Sequence, residues 1–429
     1  MNATQIINKK CSGDPLSDSE LELVIHSYIE SKIDDAQMTN FLKSVKKNGM
    51  SKNETISLTR IMIESGETID FSQNKSFIAD KHSTGGIGDK VSLVLGPIMA
   101  CLGISVPMLA GRSLGHTGGT IDKLETIPNF NTNLPINEFK RNVDQSGLCI
   151  MAQTNSICPA DKKIYALRDV TDTIDSVPLI CGSIMSKKIS EGIDGLVLDI
   201  KIGNGAFMKK LSDGKILGSM LKYVGDSFNV STDIVFSNMD QPLGKTAGMW
   251  CEVLESINAL KGDGANDLLK VSFELGSKLM LQAGLVETID QAIEAQNSAI
   301  SSGKAYEKFE EMVSNQYGQI EDAAKVNQPL FTKEIVSDKE GFLESYDSTT
   351  IGWAAVEMGC GRKNKSDTLD NSAGIEFHHK IGDHVNRGDI IFRYYNSNEG
   401  KLEQAKKMLH RAFSISEKKA KSPKLIYTS

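Results

Sequence analysis

Lys81 and Ser83 stand two residues apart, just before the turn Gly85-Gly86-Ile87-Gly88. One cation, one hydroxyl and several backbone N–H groups are thereby offered to a single tetrahedral oxyanion. A second glycine-rich run, Gly111 to Glu125, contains Gly115, Gly118 and Gly119 and then Thr120, whose hydroxyl and amide open a helix. Each run follows an apolar, strand-like segment and precedes a helical one, where N-terminal amides and the helix dipole hold anions. One such loop alone is as often an ordinary tight turn; two in one short stretch favour a phosphate cradle. Asp122 and Glu125 read as first-turn acids and Arg112 as an ion-pair partner. His82, between Lys81 and Ser83, is a candidate hydrogen-bond donor or acid, whereas His116 reads equally well as a loop-packing histidine.

A second constellation lies further on. Ile180, Ser183 and Lys187 are spaced i, i+3 and i+7, so a helix presents them on one face. An apolar surface, a hydroxyl and a cation in that order suit a planar polar heterocycle. Arg168, on a preceding helix with Tyr165 at i−3, adds a second cation against a carbonyl that becomes negative during reaction. Taken alone, the face is an amphipathic helix surface with a solvated lysine, and Arg168 an ion-pair residue with Asp169 or Asp172.

Three kinds of segment must position these groups. Residues 1–66 are helical by their punctuation: Ser17 with Glu20 and Ser51 with Glu54 form capping boxes, Gly49 and Gly66 close helices, and three short helices fit. From residue 75 short β-branched runs alternate with helices, at Phe77–Asp80, Ile104–Leu109, Leu148–Gln153, Gly195–Ile202 and Thr232–Asn238, which implies a largely parallel sheet. Between them Pro159–Asp169 and Val177–Ser190 read as two helices with no strand between, so 159–190 returns to the helical domain. The α/β domain then comprises 75–155 and 193–330. Residues 331–429 read as a compact α+β portion, with strands at Glu334–Val336, Gly341–Leu343, Ala373–Phe377 and Asp389–Tyr395, a helix at Ser348–Met358 and a last helix from Gly400.

Composition narrows the function. With 429 residues, 40% apolar and 24% charged, the chain can bury a large core, and a net charge of −7 argues against nucleic acid or an anionic membrane as partner. Seven cysteines, odd in number and without metal-ligand spacing, read as free thiols, and Met1–Glu20 has no apolar leader, so a cytoplasmic location is expected. Val91–Gly111 is uncharged and long enough to span a bilayer, but Pro97, Gly103 and Pro107 interrupt it, which fits a buried helix followed by a buried strand.

The run Gly111-Arg112-Ser113-Leu114-Gly115-His116-Thr117-Gly118-Gly119-Thr120-Ile121-Asp122-Lys123-Leu124-Glu125 resembles the motif of the thymidine and pyrimidine-nucleoside phosphorylases, and Lys81 to Gly86 resembles their phosphate loop. The similarity includes Ala160 to Asp169, Ser183 to Lys187 and Lys201 to Met208, and runs nearly end to end. It implies a small helical domain, a large α/β domain with a mixed sheet, a cleft between them and a homodimer through the helical domain. By that likeness Lys81, Ser83, Ser92 and Thr120 would bind phosphate, while His82, Leu114, Arg168, Ile180, Ser183 and Lys187 would surround a pyrimidine. His82, Arg168 and Lys187 would act on the leaving base. No metal and no cofactor beyond inorganic phosphate as co-substrate would be needed.

Three positions depart from the family pattern. Ala110 stands where relatives have Ser, removing a phosphate hydroxyl, and Ser113 where they have Gly. Some broad-specificity relatives carry Lys at the position of Met108; a thioether cannot donate to a 2′-hydroxyl, so Met108 resembles the deoxy-preferring type. Broad relatives also hold a monovalent cation near the positions of Gly88, Lys90, Leu243, Thr246 and Glu255. Here Lys90 replaces a small residue, and its ammonium is expected beside Glu255 in place of the ion. The reaction expected is phosphorolysis of thymidine and deoxyuridine. The rivals are a broader enzyme that also takes uridine, an anthranilate-type phosphoribosyltransferase and a non-catalytic nucleotide-binding protein.

Overall fold

The computed structural model describes residues 1–429 except Leu114, Thr117, Lys365 and Ser429. Four helices open the chain: α1 (Ala3–Cys11), α2 (Asp18–Ile29), α3 (Asp35–Asn48) and α4 (Lys52–Glu64). The sequence predicted three. The missed helix is α1, which starts from a capping box formed by Asn2 and Gln5, with amide types in place of the serine and glutamate read elsewhere. Ser17 and Ser51 cap α2 and α4 as expected, each paired with the glutamate three residues on.

Strands and helices then alternate: β1 (Phe77–Ser83), α5 (Val91–Cys101), β2 (Ile104–Ala110), α6 (Thr120–Leu124), α7 (Ile136–Ser146) and β3 (Leu148–Ala152). Two consecutive helices follow, α8 (Pro159–Arg168) and α9 (Val177–Ser190), then β4 (Gly195–Ile202), α10 (Leu211–Ser227) and β5 (Ser231–Asn238). A short β6 (Thr246–Gly248) leads into α11 (Trp250–Leu260), α12 (Asn266–Gln282), α13 (Ile289–Ser301), α14 (Lys304–Asn315) and α15 (Ile320–Val326). The C-terminal portion contains β7 (Phe331–Val336), β8 (Gly341–Tyr346), α16 (Ser348–Met358), β9 (Gly374–Phe377), β10 (His384–Val385) and β11 (Ile390–Asn396). It ends with α17 (Glu399–Leu409), β12 (Phe413–Ser416) and β13 (Ile426–Tyr427). The last two strands lie beyond the helix predicted as the final element; β13 pairs over two residues, too few for a strand period to register.

The main sheet has the order β13-β5-β4-β1-β2-β3. It is mixed and mostly parallel, as expected. Strands β2 and β3 run parallel with Met108 opposite Ile150, and β13 lies antiparallel on β5. The segment after β5 departs from the predicted boundaries: β6 pairs with β9, Thr246 opposite Glu376, in a four-stranded sheet β6-β9-β11-β7 shared with the C-terminal portion.

Two compact units result, one formed by Met1–Asp80, Gln153–Leu196 and Lys215–Asp233, the other by Lys81–Ala152, Val197–Gly214 and Ile234–Ser429. The chain passes from one to the other within β1, at the end of β3, and within β4, α10 and β5. In the first unit the apolar stripe of α2 (Leu21, Val24, Ile25) is buried with Phe41 of α3, Leu58 of α4, Ile164 of α8 and Leu179 of α9. In the second, α5 is buried along nearly its whole length, Pro97 included, which is why the stretch reads like a membrane segment. Among the described residues no helix is long and apolar enough to cross a membrane.

Candidate active site

In the second unit, β1 ends in the first glycine-rich loop. Lys81 is 4% exposed, with its ammonium 3.7 Å from Asp89 Oδ1. Ser83 Oγ donates to Asp89 Oδ2 at 2.5 Å and accepts from the Gly85 amide at 3.1 Å. The Thr84 amide donates to Asp199 O while its hydroxyl accepts from the Lys201 amide, which stitches the end of β1 to β4. Asp89 sits among cations, with Lys201 Nζ 3.9 Å from its carboxylate and Lys123 Nζ donating to its backbone oxygen at 3.0 Å. Burial raises the Asp89 pKa, but Lys201, Lys81, the Ser83 hydroxyl and Lys123 outweigh burial and hold the acid ionised, well below the carboxylate range. Ser92 is buried as the second residue of α5, and Thr120 opens α6 half-buried.

The second glycine run is held from below. Asp122 is 1% exposed and accepts from the Ser113 amide at 2.6 Å, Arg112 at 3.2 Å and Arg362 at 2.7 Å. Arg112 also grips Glu125 with both terminal nitrogens. These three residues therefore brace the loop, and Arg362, from the C-terminal portion, was not singled out in the sequence. Gly119 is required here, since a Cβ would lie 2.1 Å from the Ser113 nitrogen. His116 is a packing residue: Nε2 meets Gly205 O at 3.3 Å, the ring lies 6.0 Å from Trp353, and burial lowers its pKa, so it is neutral at physiological pH. Leu114, expected near the base, lies outside the described residues.

In the first unit, α9 brings Ser183 and Lys187 together as the spacing predicted. Lys187 Nζ donates to Ser183 Oγ at 2.9 Å and pairs with Asp161 of α8, while Ile180 is half-buried one turn earlier. Arg168 corrects the expectation of an ion pair with Asp169 or Asp172. It is 1% exposed, and three of its N–H groups bond the carbonyls of Thr173, Ile174 and Leu179, at 3.3, 2.8 and 2.9 Å. It thus fastens the segment between α8 and α9. Met108 is 2% exposed inside β2.

Lys90 is fully buried at the start of α5. Its ammonium donates to Glu255 Oε2 at 2.8 Å, Thr246 O at 2.8 Å and Leu243 O at 3.2 Å. Gly88 makes room for this cluster: at φ +73° it leaves no space for a Cβ, which would lie 2.4 Å from Leu243 O. Burial opposes the charge on both partners, but their attraction prevails, raising the Lys90 pKa and lowering that of Glu255.

A helical bundle, a mostly parallel sheet and a C-terminal α+β portion are the parts of a pentosyl-transferring enzyme. Residues 4–66 match the helical bundle domain of the glycosyl transferase family, residues 75–306 its a/b domain, and residues 342–416 the pyrimidine nucleoside phosphorylase C-terminal domain. The pyrimidine-nucleoside phosphorylase of Geobacillus stearothermophilus is 38% identical over 430 residues, covering 100% of this chain and 99% of that one. That of Bacillus subtilis is 39% identical over 431 residues, with the same coverage. The fold is also similar to anthranilate phosphoribosyltransferase of Thermus thermophilus, with a TM-score of 0.60 over 74% of this chain and all of that one, at 14% identity. The chain belongs to the pyrimidine-nucleoside phosphorylase family, and is a pentosyltransferase.

Proposed function

We propose that this protein catalyses the reversible phosphorolysis of thymidine and deoxyuridine to the free pyrimidine and 2-deoxy-α-D-ribose 1-phosphate, as a cytoplasmic enzyme of nucleoside salvage. The observation that carries the reading is the Ser183–Lys187 pair, a hydroxyl and an ammonium joined at 2.9 Å behind the apolar Ile180. Such a face packs against a pyrimidine ring, bonds its edge and supplies positive charge to it. Phosphate, held by Lys81, Ser83, Ser92 and Thr120, attacks the anomeric carbon. The glycosidic C–N bond breaks and its electron pair leaves with the base, where Lys187, His82 and the two N–H groups that Arg168 does not commit to the backbone oppose the growing charge. Holding both reactants makes the displacement effectively unimolecular. Met108, without a donor for a 2′-hydroxyl, supports the deoxy preference.

No metal or organic cofactor enters this scheme, and the Lys90 ammonium takes the part that a monovalent cation plays in broad-specificity relatives. Two copies of the 46.7 kDa chain form the enzyme, joined through the helical unit; light scattering at twice that mass tests this. A phosphate-dependent ultraviolet assay of thymidine, deoxyuridine and uridine side by side tests the reaction. The two deoxynucleosides are expected to release base, with uridine at least about tenfold slower. Equal turnover of uridine replaces this reading with the broad specificity that the names of the relatives favour. A rate abolished by EDTA and restored by magnesium replaces it with phosphoribosyl transfer.

A further inference from the structure

The Asp89 carboxylate has no part in the reaction above, yet it touches two of the phosphate ligands. A serine hydroxyl has one hydrogen to donate and two lone pairs to accept with. At Ser83 the hydrogen is committed to Asp89 Oδ2 at 2.5 Å, and one lone pair is taken by the Gly85 amide at 3.1 Å. Among the described residues nothing else bonds Ser83 Oγ, and the residue is only half-buried, so what remains on the oxygen is an acceptor. Asp89 enforces this direction because it cannot itself donate. Its side chain is 7% exposed, and Lys81 and Lys201 stand 3.7 and 3.9 Å from its two oxygens, so the carboxylate is ionised.

We propose that Asp89 makes the anion site selective for a protonated oxyanion, by turning Ser83 into an acceptor for the P–OH of hydrogen phosphate. Near neutral pH inorganic phosphate always carries at least one P–OH, whereas sulfate carries none. Lys81 and the loop amides attract both anions alike, so charge does not separate them; hydrogen-bond direction does. Sulfate would set an oxygen lone pair against the lone pair of Ser83 Oγ and leave both unsatisfied. Asp89 is thus a positioning residue that acts through Ser83, and the selectivity also assigns the protonated oxygen of phosphate to Ser83, leaving an unprotonated one to attack. The inference rests on the phosphorolysis reading for the identity of the anion.

Calorimetric titration of the full-length protein with inorganic phosphate and, separately, sodium sulfate tests it. Wild type is expected to bind sulfate at least about tenfold more weakly than phosphate. In Asp89→Asn the carboxamide N–H can donate to Ser83 Oγ and free its hydrogen, so the ratio should collapse, chiefly through gained sulfate affinity, with KM for the nucleoside unchanged. In Ser83→Ala the ratio should collapse through lost phosphate affinity, and this variant decides the matter if Asp89→Asn does not fold. Equal binding of the two anions by wild type, or an undiminished ratio in Ser83→Ala, overturns the proposal while phosphate-dependent base release stands. Absence of base release from wild type overturns the phosphorolysis reading instead.

Discussion

Lys187 has two neighbours that decide what its loss would do. Its side chain is 22% exposed, and its ammonium bonds Ser183 and neutralises Asp161, whose side chain is 2% exposed. Lys187→Ala is expected to lower kcat/KM by at least about tenfold, the effect of losing one group that opposes charge in the transition state. The same change strands a buried carboxylate and lowers stability. The double variant with Asp161→Asn removes that second effect, so its melting temperature should recover while its rate does not. Wild-type rates at equal folded fraction would remove Lys187 from the chemistry. The residues legible in the sequence, Lys81, Ser83, Ser183 and Lys187, are those whose relation to one another follows from strand or helix period. Asp89 and Asp161 were not legible as partners, because an acid's role is set by the cations that surround it, and Lys201 and Lys123 reach Asp89 from a different strand and helix. The three backbone carbonyls that Arg168 bonds were not legible either, because nothing in its spacing announced them.

At the scale of elements, two buried lysines join segments distant in the chain. On α1, Lys10 is 2% exposed and donates to Glu54 Oε1 of α4 at 2.7 Å; the same oxygen accepts from the Leu16 amide. Burial raises the Glu54 pKa, but Lys10 and the Ser51 and Leu16 amides overcome it and leave the acid lowered. Lys10→Met should therefore destabilise the protein by about 2 kcal/mol, read as a lower midpoint in urea; an unchanged midpoint would show that α1 docks by its apolar face alone. Lys90 similarly fastens the start of α5 to the 243–246 turn and to α11. The proposal that its ammonium serves as the cation predicts that replacing potassium by tetramethylammonium leaves wild-type activity unchanged. In Lys90→Ser, Glu255 and the carbonyls of Leu243 and Thr246 are left around an unfilled charge site, and activity should fall about tenfold without potassium and return with it. A wild-type enzyme that stops without potassium contradicts the assignment.

For the whole molecule, the C-terminal portion is the part least foretold. Helix α16 was read to the residue and β9 and β11 to within one, but β7 and β8 only in half and β10, β12 and β13 not at all. Only the fold shows that Arg362 reaches Asp122 and that α16 packs beneath His116, where a Cβ on Gly352 would lie 2.5 Å from His116 O. Contacts between residues more than two hundred positions apart leave no period and no spacing to read. A buried charge group in the first unit was also unread: the Lys188 ammonium bonds Asp80, 108 positions away, and Glu191 Oε1 at i+3, all three fully or nearly fully buried. Two carboxyls share one cation there. Burial, and secondarily the adjacent Asp80, push the Glu191 pKa well above its ordinary value despite the attraction of Lys188. An unfolded glutamate releases its proton near pH 4.3, so above that pH the native state holds on to this proton more than the unfolded state does. Stability from this group is consequently lost as pH rises from the ordinary glutamate value toward the folded one. Asp89, Glu255 and Asp267 have the opposite sign: their folded pKa values are lowered, and their contribution, present above about pH 4, is lost as pH falls. Glu191→Gln mimics the protonated acid without its titration. It should match wild type at pH 5 and exceed it in melting temperature at pH 8, whereas a variant less stable than wild type at both pH values would mean that Glu191 is ionised in the native protein.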